Sequence, residues 1–265
     1  MLSSIKDYFQ SHSHFILKDE LFYQNGFSTL SDFEENYVRL RRQEGRLYDD
    51  STVRCLPDVP VGHPLFREWA IRKHTADALI RYLKKKKVNT LMEIGCGNGW
   101  MMNYINRSLQ VDCCGIDVNE TELKQAVRLF GKNEKLTFVY ADITELMVGP
   151  LADIIVLASA IQYFPDLTSL LGKLMGFLRA GGEIHILDSP IYTPRSIAAA
   201  RKRSNNHFDA SGSSSMSKYY HHHSWEGFGK FDYTLLYDPN PLWNKLRRFV
   251  WSNSHFPWIR ITAAS

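Results

Sequence analysis

The stretch Asn89-Thr-Leu-Met-Glu-Ile-Gly-Cys-Gly-Asn-Gly-Trp100 decides how this chain is read. Thr90, Leu91, Met92 and Ile94 make a short apolar run of the kind that a parallel sheet buries on both faces. Gly95, Gly97 and Gly99 follow at once, and their missing Cβ atoms let the backbone turn sharply and come close to a ligand. A helix is expected from Trp100 to Asn106, with unpaired N–H groups and a positive dipole end at its start. Glu93 stands two residues before the first glycine, at the carboxyl end of the strand. A carboxylate there is badly placed for a pyrophosphate and well placed for a ligand that carries ammonium or hydroxyl donors. The spacing is G-x-G-x-G, completed by Cys96 and Asn98, and differs from the G-x-G-x-x-G of dinucleotide-binding turns. The competing reading is a tight strand-to-helix turn whose glycines serve packing alone.

Downstream, strand and helix patterns alternate from 88 to 207, which predicts an α/β, doubly wound sheet. Val111–Ile116 reads as the second strand and ends at Asp117, 18 residues after Gly99. In doubly wound folds an acidic side chain at this place pairs with both ribose hydroxyls of a bound nucleoside; capping the next helix is the alternative. That helix runs to Phe130, with Leu123, Ala126, Val127 and Phe130 inward. A third strand covers Leu136–Tyr140, with Asp142 and Ile143 just beyond it. A fourth covers Ala152–Ala158, followed by Ser159 and the aromatic pair Tyr163-Phe164. Asp166 caps a helix whose stripe is Leu167, Leu170, Leu171, Leu174 and Leu178, and Gly181-Gly182 are expected to stop it. The fifth strand, Gly182–Leu187, contains His185 in its interior, where a packed core histidine is the simpler reading than a base. Right-handed crossovers put the carboxyl ends of these strands on one edge, where ligands bind in such sheets.

The glycine loop with Glu93 resembles motif I of the class I S-adenosyl-L-methionine-dependent methyltransferases, and the order of the later acids resembles the same family. The resemblance covers about residues 63 to 190 well and the C-terminal strands loosely. It implies a Rossmann-like, mostly parallel seven-stranded sheet with an antiparallel edge hairpin, here with an N-terminal helical extension over residues 1–62 and a core over 63–265. It implies S-adenosyl-L-methionine as cofactor. Glu93 and the loop Gly95, Cys96, Gly97, Asn98 and Gly99 would hold its amino-acid end. Asp117 and Val118 would meet the ribose, Asp142 would accept from the adenine amino group, and Ile143 would pack on the ring. Ser159 and the residues after it would face the methyl group and the acceptor. Arg72 falls on the inward stripe of a helix expected over 65–83 (Trp69, Ala76, Leu79, Leu83), and a guanidinium there needs an acceptor. The carboxylate of the cofactor is one candidate; snorkelling from the edge of the stripe is the other. No residue identifies itself as a catalytic base; Tyr163, Asp166 and His223 are weak candidates.

The flanks are less explicit. Residues 1–62 read as helical and aromatic-rich without a strand signal, either a lid over a substrate pocket or a cover for the sheet edge. Ser211–Ser217 reads as a mobile polar linker, and Tyr219-Tyr-His-His-His-Ser-Trp225 as either a substrate-facing loop or a surface cluster. Three adjacent histidines point different ways on any regular element, so no metal site is expected. Late strands are expected at 230–237 and 258–262, with a short basic helix at 241–251 between them. A net charge of +4 is mild for this length and does not by itself argue for nucleic acid, where a clustered basic face is expected. No stretch approaches membrane-spanning length, and four cysteines without zinc spacing read as free thiols. A cytoplasmic enzyme acting on a small-molecule acceptor is expected. A non-catalytic adenosyl-ligand binder and a nicotinamide-dependent oxidoreductase are the readings it competes with.

Overall fold

The computed structural model describes residues 4–28, 31–241, 244 and 253–263. Helices are α1 Ile5–Ser11, α2 Ser31–Gln43, α3 Asp50–Cys55, α4 Phe66–Leu83, α5 Trp100–Leu109, α6 Glu120–Phe130, α7 Leu167–Met175 and α8 Pro194–Ala210. Strands are β1 Phe15–Lys18, β2 Leu21–Gln24, β3 Thr90–Ile94, β4 Asp112–Asp117, β5 Leu136–Tyr140, β6 Ala152–Ala158, β7 Leu178–Leu187, β8 Ile191–Tyr192, β9 His223–Ser224, β10 Tyr233–Tyr237 and β11 Trp258–Thr262. β8 and β9 form a small separate pair. The other nine strands make one sheet in the order β1-β2-β5-β4-β3-β6-β7-β11-β10.

β3 lies at the centre because its five residues are all buried, so neither face can be left to solvent. It pairs in parallel with β4 on one side (Leu91 opposite Cys113) and β6 on the other (Leu91 opposite Ile154). The chain winds outward through β4 and β5, then returns to the far side of β3 for β6 and β7, so the strand order reverses at β3. α4, α5 and α6 cover one face through Trp69, Leu79, Met102, Ile105 and Leu123. α1 and α7 cover the other through Phe9, Leu170, Leu171 and Leu174. The edge hairpin is present as expected: β11 runs antiparallel to β7, and β10 to β11.

The N-terminal segment departs from its expected, wholly helical form. β1 and β2 make a hairpin, and β2 extends the sheet in parallel with β5, Leu21 opposite Phe138. The sheet therefore has nine strands, seven in the expected arrangement and two more from this hairpin. The turn at Asp19-Glu20 has φ of 49° and 63°, a left-handed pair for which Asn and Gly are the usual signals, so the residues at the turn carry no warning of it. A second correction concerns the helix after Asp166. It ends at Met175, Leu178 opens β7, and Gly181-Gly182 lie inside that strand. Gly181 has φ 74°, and the β6–β7 register shifts between Ala152 and Ile154, so the glycines shape an irregular strand start and do not stop the helix. A third concerns Ser211–Ser217. Ser213 and Met216 are fully buried, Met216 packing with Leu40 and Phe208 between α2 and α8. The expected basic helix at 241–251 lies outside the described residues except at Pro241 and Asn244.

Candidate cofactor and acceptor site

The carboxyl ends of β3 and β6 meet at the point where the strand order reverses. Gly95 leaves β3 with φ 75°, and its N–H donates to the Ile116 carbonyl at 2.8 Å. A Cβ on Gly95 would sit 2.8 Å from the Ala160 Cβ, so the loops after β3 and β6 touch with no room for a side chain. Gly99 begins α5 in the left-handed region with φ 74°, pressed against the Phe138 ring. Cys96 is buried beneath the loop, where its Sγ fills the space beside Gly115, and Asn98 is 7% exposed at the helix start.

Three carboxylates surround this loop. Asp117 ends β4; its Oδ2 accepts the Gly97 N–H at 2.7 Å and its Oδ1 the Asn119 N–H at 2.8 Å. It thus clamps the glycine loop while lining the cavity beyond it. Burial pushes its carboxyl above the usual range against those hydrogen bonds. Glu93 is 3% exposed, and its Oε2 has no hydrogen-bond partner. Burial, and then the Asp117 charge, hold its carboxyl well above the usual range, while Arg72 opposes them. Glu122, in the first turn of α6, accepts from Asn119 Nδ2 at 3.0 Å and is pushed up to about 7 by burial and by Asp117. Arg72 donates from Nε to Glu68 at 3.1 Å and lies over the Trp69 ring at 5.4 Å. Its charge nevertheless reaches Glu93, Glu122 and Asp188, all on the loop side of α4.

A cavity of about 800 Å³ opens above these groups. One end is lined by Gly95, Asp117, Val118, Asp142, Ile143 and Ser159. Asp142 is oriented by its own turn: Oδ1 accepts the Thr144 N–H and hydroxyl, each at 2.7 Å, and its N–H donates to Gln24 of β2 at 3.1 Å. Ser159 has φ 55° and donates its hydroxyl to the Asp188 carbonyl at 2.9 Å. Phe33 and Tyr37 of α2 add an aromatic wall where they meet Tyr163 and Tyr219, while Phe27 lies against Tyr140. Arg41 ties the two halves together. Its Nη2 donates to the Tyr163 hydroxyl at 2.7 Å and its Nη1 to Glu44 at 2.8 Å, while its guanidinium lies 5.0 Å from the Tyr37 ring centre.

The expected residues therefore separate into groups. Gly95, Asp117, Val118, Asp142, Ile143 and Ser159 share one cavity wall; Glu93, Gly97, Gly99, Cys96 and Asn98 build the loop behind it; Arg72 acts from outside the lining. Asp166 lines the cavity but also caps α7, accepting the Ser169 N–H at 3.0 Å. His223 is buried and donates to the Ile161 carbonyl at 2.9 Å, away from the cavity. His185 is fully buried; it accepts from Trp258 Nε1 at 3.0 Å and donates to Glu183 at 3.2 Å, the packed core histidine of the simpler reading. Sequence reasoning misses Arg41 and Glu122. Phe33, Tyr37 and Arg41 recur at i, i+4 and i+8 on α2, a spacing that signals one shared face. Glu122 reads locally as a capping-box acid three residues after Asn119, and only the tertiary fold buries it.

An adenosyl cofactor fits these residues. Glu93 offers a buried acceptor without a partner, Gly95 a bare backbone in the cavity wall, and Asp142 a carboxylate fixed by its own turn. Residues 92–186 match the family model described as a methyltransferase domain. No curated protein matches in sequence. Among solved structures, the plantazolicin methyltransferase BpumL in complex with SAH is 16% identical, covering 89% of this chain and 97% of its own, with a TM-score of 0.52. The geranyl diphosphate C-methyltransferase from Streptomyces coelicolor A3(2) is 14% identical over 77% of this chain and 85% of its own, with a TM-score of 0.51. YcgJ from Bacillus subtilis is 14% identical over 73% of this chain and 99% of its own, with a TM-score of 0.55. These likenesses are of fold; the family match is confined to residues 92–186, the glycine loop and the strands after it, and over that stretch the chain resembles a methyltransferase domain.

Proposed function

We propose that the protein transfers a methyl group from S-adenosyl-L-methionine to a small-molecule acceptor enclosed between the sheet edge and the N-terminal segment. The observation that carries this is the single cavity: polar and glycine-lined at the Asp117–Asp142 end, aromatic at the Phe33–Tyr37–Tyr163 end. The cofactor supplies an activated methyl on a sulfonium centre. Glu93 would accept hydrogen bonds from the ammonium of its amino-acid end, and the positive charge of Arg72 favours the ionised form of Glu93. Asp117 faces the ribose hydroxyls with Val118 beside it, Asp142 takes the exocyclic amine of the adenine, and Ile143 packs on the ring. Ser159 and Tyr163 line the wall nearest the methyl group. Positive charge is lost as the methyl moves, so orientation of donor and acceptor supplies most of what the site contributes, on the order of several kcal/mol.

In this reading residues 1–62 are part of the site, with α2 roofing the cavity and the β1–β2 hairpin extending the sheet that supports Asp142. A roofed cavity suits a small acceptor better than a folded macromolecule. Two of the similar proteins are named for plantazolicin and for geranyl diphosphate, which agrees with that scale. No described helix is long and apolar enough to cross a membrane.

Calorimetric titration with S-adenosylhomocysteine, with NADH as control, tests the assignment. Saturable binding of the first alone is expected, and Asp117→Ala weakens it about tenfold or more while the circular dichroism spectrum is unchanged. Unaltered affinity in that variant removes the ribose role, and binding of NADH in place of S-adenosylhomocysteine overturns the proposal.

A further inference from the structure

A second cavity, of about 360 Å³, opens on the far side of Pro165, a residue that lines both cavities. α8 supplies Arg201 and Asn205, one turn apart on the same face. The chain from 217 to 222 supplies Ser217, Lys218, His221 and His222. This chain is pinned in place: the His221 N–H donates to the Gln162 carbonyl at 2.7 Å, and the His223 ring to the Ile161 carbonyl at 2.9 Å. The His222 ring lies between Tyr192 and Tyr220, at 5.4 and 5.3 Å between centres, with its Nε2 2.9 Å from the Ser204 hydroxyl. These contacts hold the ring in one orientation.

The charges in this cavity are of one sign. No carboxylate lines it among the described residues. Of the acids around it, Asp32 is bonded to Lys218 Nζ at 2.6 Å and to the Tyr219 hydroxyl at 2.7 Å, Asp166 follows the lining residue Pro165, and the Glu44 charge reaches Tyr220. Burial and the Arg201 charge hold both His221 and His222 toward their neutral forms. The exposed Arg201 guanidinium and Asn205 amide add donors around the same space, whereas the Ser217 hydroxyl donates to the Ser214 carbonyl at 2.7 Å and the Lys218 ammonium is paired with Asp32. A guanidinium, an amide and two imidazoles around a space lined by no carboxylate suit an anion with several oxygens.

We propose that this second cavity is a binding site for an oxyanion of the phosphate class, with Arg201 as its main charged ligand and His221, His222 and Asn205 as further donors. The bound charge offsets the mutual repulsion of Arg201 and the two imidazoles and draws the imidazoles toward the protonated, doubly donating form. The methyl-transfer reading does not require the site, which stands on its own residues. Because Pro165 borders both cavities, the oxyanion arrives either on the acceptor or as a free ion.

The test is calorimetric titration of the full chain with sodium diphosphate at constant ionic strength. Saturable binding is expected, weakened about tenfold by Arg201→Gln. Lys202→Gln removes the same charge one residue along α8, outside the cavity lining, and is expected to leave the affinity unchanged. Absence of saturable binding, or equal weakening in the two variants, overturns the proposal. In proton NMR the His221 and His222 ring signals are expected to move toward the charged form as diphosphate is added; signals that stay in place likewise overturn it. Where binding holds, labelled-methyl transfer into a small-molecule extract identifies the source. A loss after phosphatase treatment places the oxyanion on the acceptor, and unchanged transfer places the free ion in the site; both support an oxyanion site.

Discussion

Gly95 shows how narrowly one residue constrains the site. It combines a φ of 75° with an approach to Ala160 that leaves 2.8 Å for a Cβ. Gly95→Ala therefore carries both backbone strain and a clash. We expect it to cost about 2–4 kcal/mol in denaturant unfolding and to abolish measurable S-adenosylhomocysteine binding; an unchanged unfolding midpoint contradicts the geometry. Glu122 is the residue at which pH enters. An ordinary glutamate ionises near pH 4.5 in the unfolded chain, whereas in the fold this one is held up to about 7. Between those values the unfolded state releases a proton that the folded state retains, so this group lowers stability as pH rises from about 4.5 to 7. Glu122→Gln is expected to raise stability at pH 8 by up to about 3 kcal/mol and to change it little at pH 4. Denaturant titrations of both proteins at the two pH values check it, and a gain at pH 4 as large as that at pH 8 contradicts the assignment.

At the scale of elements, the β1–β2 hairpin is held by what it covers. Leu21 and Phe22 are 2% and 1% exposed, and β2 satisfies the edge of β5 that would otherwise be open. Its turn is the weak point, because Asp19 and Glu20 both occupy positive φ where a side chain costs about 1 kcal/mol or more. The double substitution Asp19→Asn with Glu20→Gly is expected to raise the thermal midpoint by a few degrees with S-adenosylhomocysteine affinity unchanged; a lowered midpoint shows that the turn is not a two-residue hairpin of this type. α2 is held differently. It meets the rest of the chain through rings, through Leu40 packed with Phe208 and Met216, and through side-chain bonds from Arg41 to Tyr163, Thr121 to Glu34 and Lys218 to Asp32.

At the scale of the whole molecule, the sheet edge fixes one half of the cavity and the N-terminal segment the other. Arg41 spans them, so Arg41→Met separates their contributions. We expect the affinity for S-adenosylhomocysteine to hold within about twofold and the α2 amides to exchange with deuterium at least about tenfold faster. Equal loss of cofactor affinity places Arg41 in the cofactor end of the cavity and contradicts its role in the roof. The cofactor end is a set of strand termini whose positions follow from topology. The aromatic part of the cavity is assembled from α2, the turn after β6 and the segment after α8, which are far apart in sequence.

This division explains what could be read in advance. The strand at 90–94, the glycine loop and the acids at 93, 117 and 142 are local signals: apolar runs, left-handed positions and carboxylates at predicted strand ends. A repeated strand–helix order with one crossover hand then leaves little freedom in where they meet. The β1–β2 hairpin was not legible because its turn uses Asp-Glu where the backbone favours Asn-Gly, and because β2 becomes a strand only by pairing with β5. The buried state of Glu122, the Arg41 bridge and the cationic cavity beneath α8 were not legible either. Each depends on contacts between segments tens of residues apart, and burial and charge proximity are properties of the folded neighbourhood rather than of any stretch of chain. The sequence alone thus determined the parallel core and its cofactor edge, since periodicity and backbone conformation act locally. Tertiary packing alone decided the aromatic wall of the cavity and the titration of the acids beneath it.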